Sequence, residues 1–281
     1  MHNQPEVHYV LGHAQAELQR LIRQSAFYAE LTEDVFRSAG ISEGMRVLDV
    51  GCGAGDVSFL AARLVGPSGR VIGVDRSPEA LAMARRRAEA EQVRHVRFIE
   101  GDLAQLELPE SFDALVGRFV LMYFADPSGA LQRMVRHIRA GGIIAFQEMD
   151  ISAARTVPDM VLHEKCSEWI KTTFERAKVD IQMGPKLSRT FRRAGLPEPK
   201  MKLSARIDGG PEWPGCEYIA DIVASLLPMM EHLGVATAAE VQIETLAGRL
   251  KEESKNGDGI LISPSLVGAW TRKPVCEHEK A

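Results

Sequence analysis

Three glycines and two aspartates stand close together directly after a short apolar run, in a segment that could hold a small ligand. Residues 47–56 read VLDVGCGAGD, so that Gly51, Gly53 and Gly55 alternate with other residues. Glycines in a turn after a strand let the backbone approach a ligand closely, as in the binding crevices of open α/β sheets. The segment therefore predicts a ligand-binding loop, and its ligand is a triphosphate, a dinucleotide or a molecule without phosphate.

The residues that follow the glycines argue against both phosphate ligands. A triphosphate loop needs Lys and Ser or Thr after its last glycine, but Gly55 is followed by Asp56 and Val57. A dinucleotide loop has the pattern GxGxxG, and here Asp56 takes the place of the third glycine. A carboxylate at the start of a helix would repel a pyrophosphate bound there. The pattern is instead GxGxG, preceded two residues earlier by Asp49.

The combination DxGxGxG after a strand resembles motif I of the class I S-adenosylmethionine-dependent methyltransferases. It is most similar to the small-molecule type, the relatives of the ubiquinone and menaquinone C-methyltransferases. The resemblance implies S-adenosyl-L-methionine as cofactor, S-adenosyl-L-homocysteine as product and a small-molecule acceptor. It also implies an α/β fold with a doubly wound, mostly parallel seven-stranded sheet, the Rossmann-like methyltransferase fold, with helical lid additions.

The resemblance also implies roles for individual residues. Asp49 would meet the cofactor's amino group, directly or through water, and the three glycines would let the backbone pass close to the ribose and the sulfonium. Asp75, 24 residues after Gly51, ends the second predicted strand and would accept from both ribose hydroxyls. Asp102 would accept from the adenine amino group, with the Leu103 amide facing the ring.

Further cofactor contacts are implied near these positions. Arg118, after the fourth predicted strand, would pair with the cofactor carboxylate. Tyr9 would either fold over that carboxylate or anchor the N-terminus. The remaining implied contacts are neighbours of the residues above, namely Cys52, Arg76 and Phe119.

The implied reaction is an in-line displacement at the sulfonium methyl group, in which the protein aligns the reacting atoms and excludes water. A base is useful only if the acceptor is a hydroxyl or an acidic carbon. The sequence does not rank the candidates, so the catalytic residue stays unassigned; they are Glu148, Asp150, His13 and His163.

No metal is expected, because no histidines or paired acids have the spacing of a metal site. The alternative is a cofactor-binding protein of the same fold without methyl transfer, either a rearrangement enzyme or a non-catalytic binding protein.

Alternating apolar runs and helical patterns predict the elements that position these residues. Predicted strands cover 45–51, 70–75, 96–102, 113–119 and 141–150, and predicted helices cover 56–66, 77–92 and 127–139. Strands that are apolar throughout, separated by helices, indicate a parallel sheet that is covered on both faces.

The flanking regions predict additions to this core. Helical patterns cover 13–39, 157–179, 184–194 and 213–254, and strands are predicted at 201–208 and 260–273. We expect one methyltransferase domain, 1–281, made of an N-terminal helical lid (1–40), a cofactor-binding core (41–150), helices and a sixth strand (151–209), a helical cap insertion (210–256) and a last strand and tail (257–281). Segments 9–39 and 211–254 are expected to form the acceptor pocket and to be mobile without ligand.

Composition narrows the class of protein. A net charge of −4 and a pI near 6.1 do not favour nucleic acid as a partner. No apolar stretch reaches eighteen residues, so no membrane span is expected, and the N-terminus lacks the pattern of a signal peptide. The four widely spaced cysteines favour a reducing, cytoplasmic setting. A homodimer is left open.

Overall fold

The computed structural model describes residues 15–102, 107–108, 111–209, 215–257 and 259–275. Tyr9, His13 and Leu103, which the sequence proposes as site residues, lie outside these ranges. In chain order the strands are β1 Arg46–Val50, β2 Arg70–Asp75, β3 Val96–Glu100, β4 Phe112–Arg118, β5 Ile138–Asp150, β6 Arg155–Val157, β7 Lys200–Ser204, β8 Ile207–Gly209, β9 Ile260–Ile262 and β10 Ser265–Arg272.

Seven of these strands form the central sheet, in the order β3-β2-β1-β4-β5-β10-β7. The first five strands are parallel to one another. At the other edge, β10 pairs antiparallel with β5, and β7 pairs antiparallel with β10. Successive residues such as Val47 and Leu48 point to opposite faces, and both are fully buried. This sheet confirms the predicted doubly wound α/β fold.

Nine helices accompany the strands in the described part of the chain. They are α1 Gln15–Ala39, α2 Asp56–Val65, α3 Pro78–Ala90, α4 Pro127–Met134, α5 Val161–Arg176, α6 Met183–Arg193, α7 Gly215–His232, α8 Ala238–Val241 and α9 Ile243–Gly257. Side chains of α2, α3 and the second half of α1 share one buried core with the sheet. Those of α4 to α9, with Phe27 and Tyr28 of α1, share another. The two cores give the three-layer arrangement that a parallel sheet requires.

The prediction of one strand over 260–273 is wrong, because the chain changes sheet at Pro264. Proline has no N–H to donate to a ladder, and the segment divides there into β9 and β10. β9 pairs antiparallel with β6 and β8 in a separate three-stranded sheet. The strand predicted over 201–208 divides in the same way, into β7 and β8.

The region predicted to be helical over 213–254 contains three helices, α7, α8 and α9. Thr237 and Glu240 form a capping box that begins α8, and Gln242 adopts a left-handed conformation that ends it. None of the helices in the described ranges is long and apolar enough to cross a membrane.

The order of the strands places a crevice beside the glycine loop. The chain winds in opposite directions from β1, towards β2 on one side and β4 on the other. Ligands of open α/β sheets bind where the winding reverses, outside the carboxyl ends of the strands. The residues that follow β1 and β4, Gly51 and Phe119, therefore face the same crevice.

Candidate functional site

The glycine loop makes a turn that side chains would disturb. Gly51, Gly53 and Gly55 all have positive φ values, of 65°, 52° and 90°. A Cβ atom on Gly51 would lie 2.7 Å from a methyl carbon of Val120, so β1 and the segment after β4 approach closely here. A Cβ atom on Gly55 would meet the Phe59 and Phe98 rings at 2.9 Å. Gly55 therefore permits helix packing, whereas Gly51 and Gly53 line the cavity described below.

Asp75 is held by backbone donors at the end of β2. Its Oδ2 accepts from the Gly53 amide at 2.8 Å, and its Oδ1 accepts from the Ser77 amide at 3.0 Å. The side chain is only partly buried and lines the cavity. Each carboxylate oxygen has lone pairs beyond the one these bonds use, so Asp75 can accept further hydrogen bonds from a ligand.

Asp49 lies beneath the loop rather than in the cavity wall. It is almost completely buried, and its Oδ2 accepts from the Ser58 hydroxyl at 2.6 Å. Burial raises the pKa of Asp49 to about 7, although the Ser58 hydrogen bond and the nearby Arg118 oppose this. Asp49 can therefore influence a bound ligand only indirectly, through its position under the glycine loop and through the charge of its carboxylate.

Asp56 lies at the start of α2, as predicted from the sequence, and it forms an ion pair with Arg87. Its Oδ1 accepts from Arg87 at 2.7 Å, and Arg87 also donates to the Ala54 carbonyl. This ion pair offsets part of the negative charge near the loop.

Arg118 connects the end of β4 to α1. Its Nη1 donates to the Thr32 hydroxyl at 3.0 Å, and Thr32 in turn donates to Gln147 Oε1 at 2.8 Å. Thr32 and Gln147 are both buried. The guanidinium lies 5.5 Å from the centre of the Phe119 ring, in a cation–π contact. This network fixes the second half of α1 against the sheet beside the cavity.

A cavity of about 570 Å³ joins the loop to the helical additions. The predicted cofactor residues Gly51, Cys52, Gly53, Asp75, Arg76, Asp102, Arg118 and Phe119 line one part of it. The rest of the wall comes mainly from α1, α5 and α7 and from the second sheet. One cavity thus contacts both the glycine loop of the core and the additions that flank the core in sequence.

The candidate bases differ in their access to this cavity. Glu148 is fully buried, and its Oε1 accepts from the Val120 and Leu121 amides at 2.9 and 2.8 Å. Asp150 caps the short turn that follows β5 by accepting from Ser152. Neither side chain lines the cavity, whereas His163 does. Among the described residues, no group of three His, Cys, Asp or Glu is arranged to hold a metal.

Glu148 makes the stability of the fold depend on pH. Burial raises its pKa to about 8, although the two amides oppose this, so the folded protein binds its proton more tightly than the unfolded chain. The contribution of Glu148 to the unfolding free energy is complete below pH 4.5 and is lost as the pH rises through about 8. Between pH 4.5 and 8, Glu148 should make the unfolding free energy of the wild-type protein fall by up to about 1.4 kcal/mol per pH unit. Glu148→Gln should remove this part of the pH dependence. Urea unfolding of both proteins at pH 5.5, 7 and 8.5 measures this, and parallel pH profiles would contradict it.

The sequence proposed Phe119 as a site residue but did not identify the other aromatic residues that line the cavity beside it, Phe27, Tyr28 and Tyr218. Phe27 and Tyr218 stack with ring centres 5.0 Å apart, and Tyr28 meets both Tyr218 and Phe119 edge to face. Gln24 donates to the Tyr218 hydroxyl at 3.0 Å, which joins α1 to α7. Helical spacing indicates that Phe27 is buried, but no local signal pairs residues almost two hundred positions apart.

Known proteins resemble this chain in sequence and in fold. The demethylmenaquinone methyltransferase of Geobacillus kaustophilus (strain HTA426) is 34% identical over 153 residues, which cover 53% of this chain and 65% of that protein. The aklanonic acid methyltransferase DauC of Streptomyces sp. (strain C5) is 35% identical over 133 residues, covering 44% of this chain and 60% of that protein. The matches thus span less than two thirds of these relatives.

A solved structure of the YcgJ protein from Bacillus subtilis shares the fold. Its TM-score is 0.57 at 18% identity, and the match covers 88% of this chain and all of that one.

A family model described as a methyltransferase domain matches residues 41–195, more than half of the chain. The matched residues include every strand from β1 to β5 and the whole of the glycine loop. This match confirms the resemblance that the loop pattern suggested, and it does not favour the alternative of binding without transfer. The chain belongs to the methyltransferase domain family.

Proposed function

We propose that this protein transfers the methyl group of S-adenosylmethionine to a small-molecule acceptor. The observation that carries the proposal is a cavity that contacts the glycine loop and Asp75 at one end and a mainly aromatic and aliphatic wall at the other. We further propose that the protein acts in the cytoplasm without a nucleic-acid partner. Its net charge of −4 supports this, as do the three cysteines in the described ranges, Cys52, Cys166 and Cys216, which are buried and free.

The residues of the loop end fit the parts of S-adenosylmethionine. Asp75, already oriented by two backbone amides, accepts from the ribose hydroxyls. Asp102 accepts from the adenine amino group, and Arg118 pairs with the carboxylate of the methionine part. Asp49, under the loop, contributes negative charge that favours the cationic amino group. No lysine follows the glycines to hold a phosphate, which agrees with a ligand that has none.

S-adenosylmethionine supplies a sulfonium methyl group whose leaving group is a neutral thioether. The protein's part is therefore to align the acceptor with this methyl group and to exclude water. Phe119, Tyr28 and Tyr218 contact one another edge to face in the cavity wall, and we place the approach of the acceptor atom beside them. Glu148 and Asp150 take no part in proton transfer in this proposal, because neither lines the cavity.

Methyl-labelled S-adenosylmethionine tests the activity. The protein is incubated with the labelled cofactor and a cell extract, and the small-molecule, protein and nucleic-acid fractions are analysed separately by mass spectrometry. We expect the label in one or a few small molecules, and none with heat-inactivated protein. Label that appears only in the protein or nucleic-acid fraction would contradict the proposed acceptor class.

The cover of the cavity should respond to the cofactor. The first half of α1 contacts α7 through Gln24 and Phe27, whereas Val35 and Phe36 in the second half are buried in the core. A cofactor that must exchange in each turnover needs a cover that opens. We expect amide hydrogen exchange in 24–31 and 215–232 to be faster than in β1, and to slow when S-adenosylhomocysteine binds. Equal exchange with and without S-adenosylhomocysteine would indicate static packing.

A further inference from the structure

The wall of the cavity includes a buried ionisable side chain on α5. His163, in the first turn of α5, lines the cavity although the residue is only 2% exposed. Aliphatic residues of α5, α7 and β9 line the cavity as well, together with polar residues; the aliphatic ones are Ile170, Ile219, Ile222 and Leu261, and the polar ones include Thr156, Glu164 and Ser167. A buried polar atom is costly unless it has a partner.

A carboxylate on α9 fixes the orientation of the His163 ring. His163 Nδ1 lies 2.8 Å from Oε2 of Glu253, whose two oxygens also accept from the Leu162 and His163 amides at 2.7 and 3.0 Å. Although burial opposes them, these hydrogen bonds lower the pKa of Glu253. Glu253 accepts a hydrogen bond from Nδ1–H, and in the tautomer with the proton on Nδ1 the lone pair of the ring is on Nε2.

The contact of Nε2 within the protein is weak. It lies 3.9 Å from Sγ of Cys216, and a thiol is a poor donor. The Cys216 thiol has a second contact, with the Ser254 hydroxyl at 3.7 Å. Burial raises the pKa of Cys216, so it remains a neutral thiol and supplies no charge. A stronger donor on a ligand would therefore displace the thiol from Nε2.

His163 is remote from the loop end of the cavity. The C-terminal end of α5 is held beside the turn that follows β4, because Val179 donates to the Phe174 carbonyl and Asp180 donates to the Met122 carbonyl. Phe174 and Met122 both line the cavity. His163 lies three helical turns from Phe174, roughly 16 Å along the helix axis. A group bound to His163 would thus be far from a methyl group placed near Phe119.

We infer that His163, oriented by Glu253, binds a hydrogen-bond donor at the far end of an elongated apolar acceptor. The inference rests on the proposed function and adds the class of acceptor. The methylated atom lies near Phe119, the apolar body of the acceptor lies against α5 and α7, and a hydroxyl or N–H at the opposite end donates to Nε2. His163 is then a specificity residue rather than a base for the transfer.

Two biphenyl probes test this role in the full-length protein saturated with S-adenosylhomocysteine. 4-Phenylphenol carries a donor, and 4-methoxybiphenyl has a similar shape without one. Calorimetry should show that the wild-type protein binds the phenol about five- to tenfold more tightly, the value of one buried hydrogen bond. His163→Phe should bind both probes equally, and His163→Gln should restore part of the preference. Ile222→Val should weaken the binding of both probes by the same factor.

The outcomes separate this inference from the proposed function. An equal preference for the phenol in the wild-type and His163→Phe proteins would overturn the role of His163. Failure of both probes to bind the S-adenosylhomocysteine complex would overturn the elongated apolar class of acceptor. If S-adenosylhomocysteine itself fails to bind the wild-type protein, the proposed function fails first. A thermal melt and an S-adenosylhomocysteine titration of each variant establish that it is folded.

Discussion

Replacing Gly53 with valine should abolish binding of S-adenosylhomocysteine, with a loss of affinity of at least about a hundredfold, or 2.7 kcal/mol. Gly53 lines the cavity, and its amide donates to Asp75. A branched side chain there would occupy the ligand's space and, because φ is positive, would force the loop to shift. The shift would also misplace Asp75, so that two contacts are lost together.

Gly195→Val is the matched control for this substitution. Gly195 also has a positive φ, of 80°, but no atom lies within 4 Å of its Cβ position. Both variants should therefore lose stability from the same backbone strain, and thermal melts should register it in each. Affinity for S-adenosylhomocysteine should fall only in Gly53→Val. A Gly53→Val protein that melts cooperatively and binds as tightly as Gly195→Val would refute the placement of the ligand against the loop.

Asp75→Ala should weaken binding of S-adenosylhomocysteine about ten- to a hundredfold, or roughly 1.5–3 kcal/mol. The substitution removes a charged acceptor whose oxygens are already oriented by the Gly53 and Ser77 amides. The loop amide would also lose its partner, so some of the effect would come from a less ordered loop. Calorimetric titration of the folded variant measures the change.

Two further variants show whether the effect belongs to the Asp75 carboxylate. Asp75→Asn keeps an acceptor oxygen without the charge and should fall between the wild-type and alanine proteins. Asp159 is exposed and lies outside the cavity lining, so Asp159→Ala should leave the affinity unchanged. A dissociation constant for Asp75→Ala equal to that of the wild-type protein would place the ribose elsewhere.

The loop end of the cavity could be predicted because its signals are local. The glycines follow a strand, and Asp75 and Arg118 each end one. These strands are recognisable by their apolar residues, and parallel strands bring their carboxyl ends to one edge of the sheet. The fold class follows from the same alternation of strands and helices. Among the implied cofactor residues that the structure describes, Asp49 and Gly55 lie outside the cavity wall. Asp49 is held under the loop by its hydrogen bond with Ser58, and Gly55 packs against two aromatic rings.

The far end of the cavity could not be predicted because its contacts join distant segments. His163 was one candidate among four, and its pairing with Glu253 depends on how α5 packs against α9. Nothing in the sequence distinguishes Thr32 and Gln147 from other polar residues, because their hydrogen bond depends on how α1 packs against the sheet. The second sheet was missed because its strands have three residues each, too few to show alternation. Pro264 was the one visible sign of its boundary.

Calorimetric titration with S-adenosylmethionine, S-adenosylhomocysteine, NAD and ATP tests the central claim, that the cavity is built for a cofactor without phosphate. We expect one site per chain for S-adenosylmethionine and S-adenosylhomocysteine, lost in Gly53→Val and weakened in Asp75→Ala. NAD and ATP should give no heat of binding, because the loop offers a carboxylate at the start of α2 and no lysine for phosphate. Binding of NAD that is tighter than binding of S-adenosylhomocysteine would show that the cavity is built for a phosphate-bearing cofactor instead.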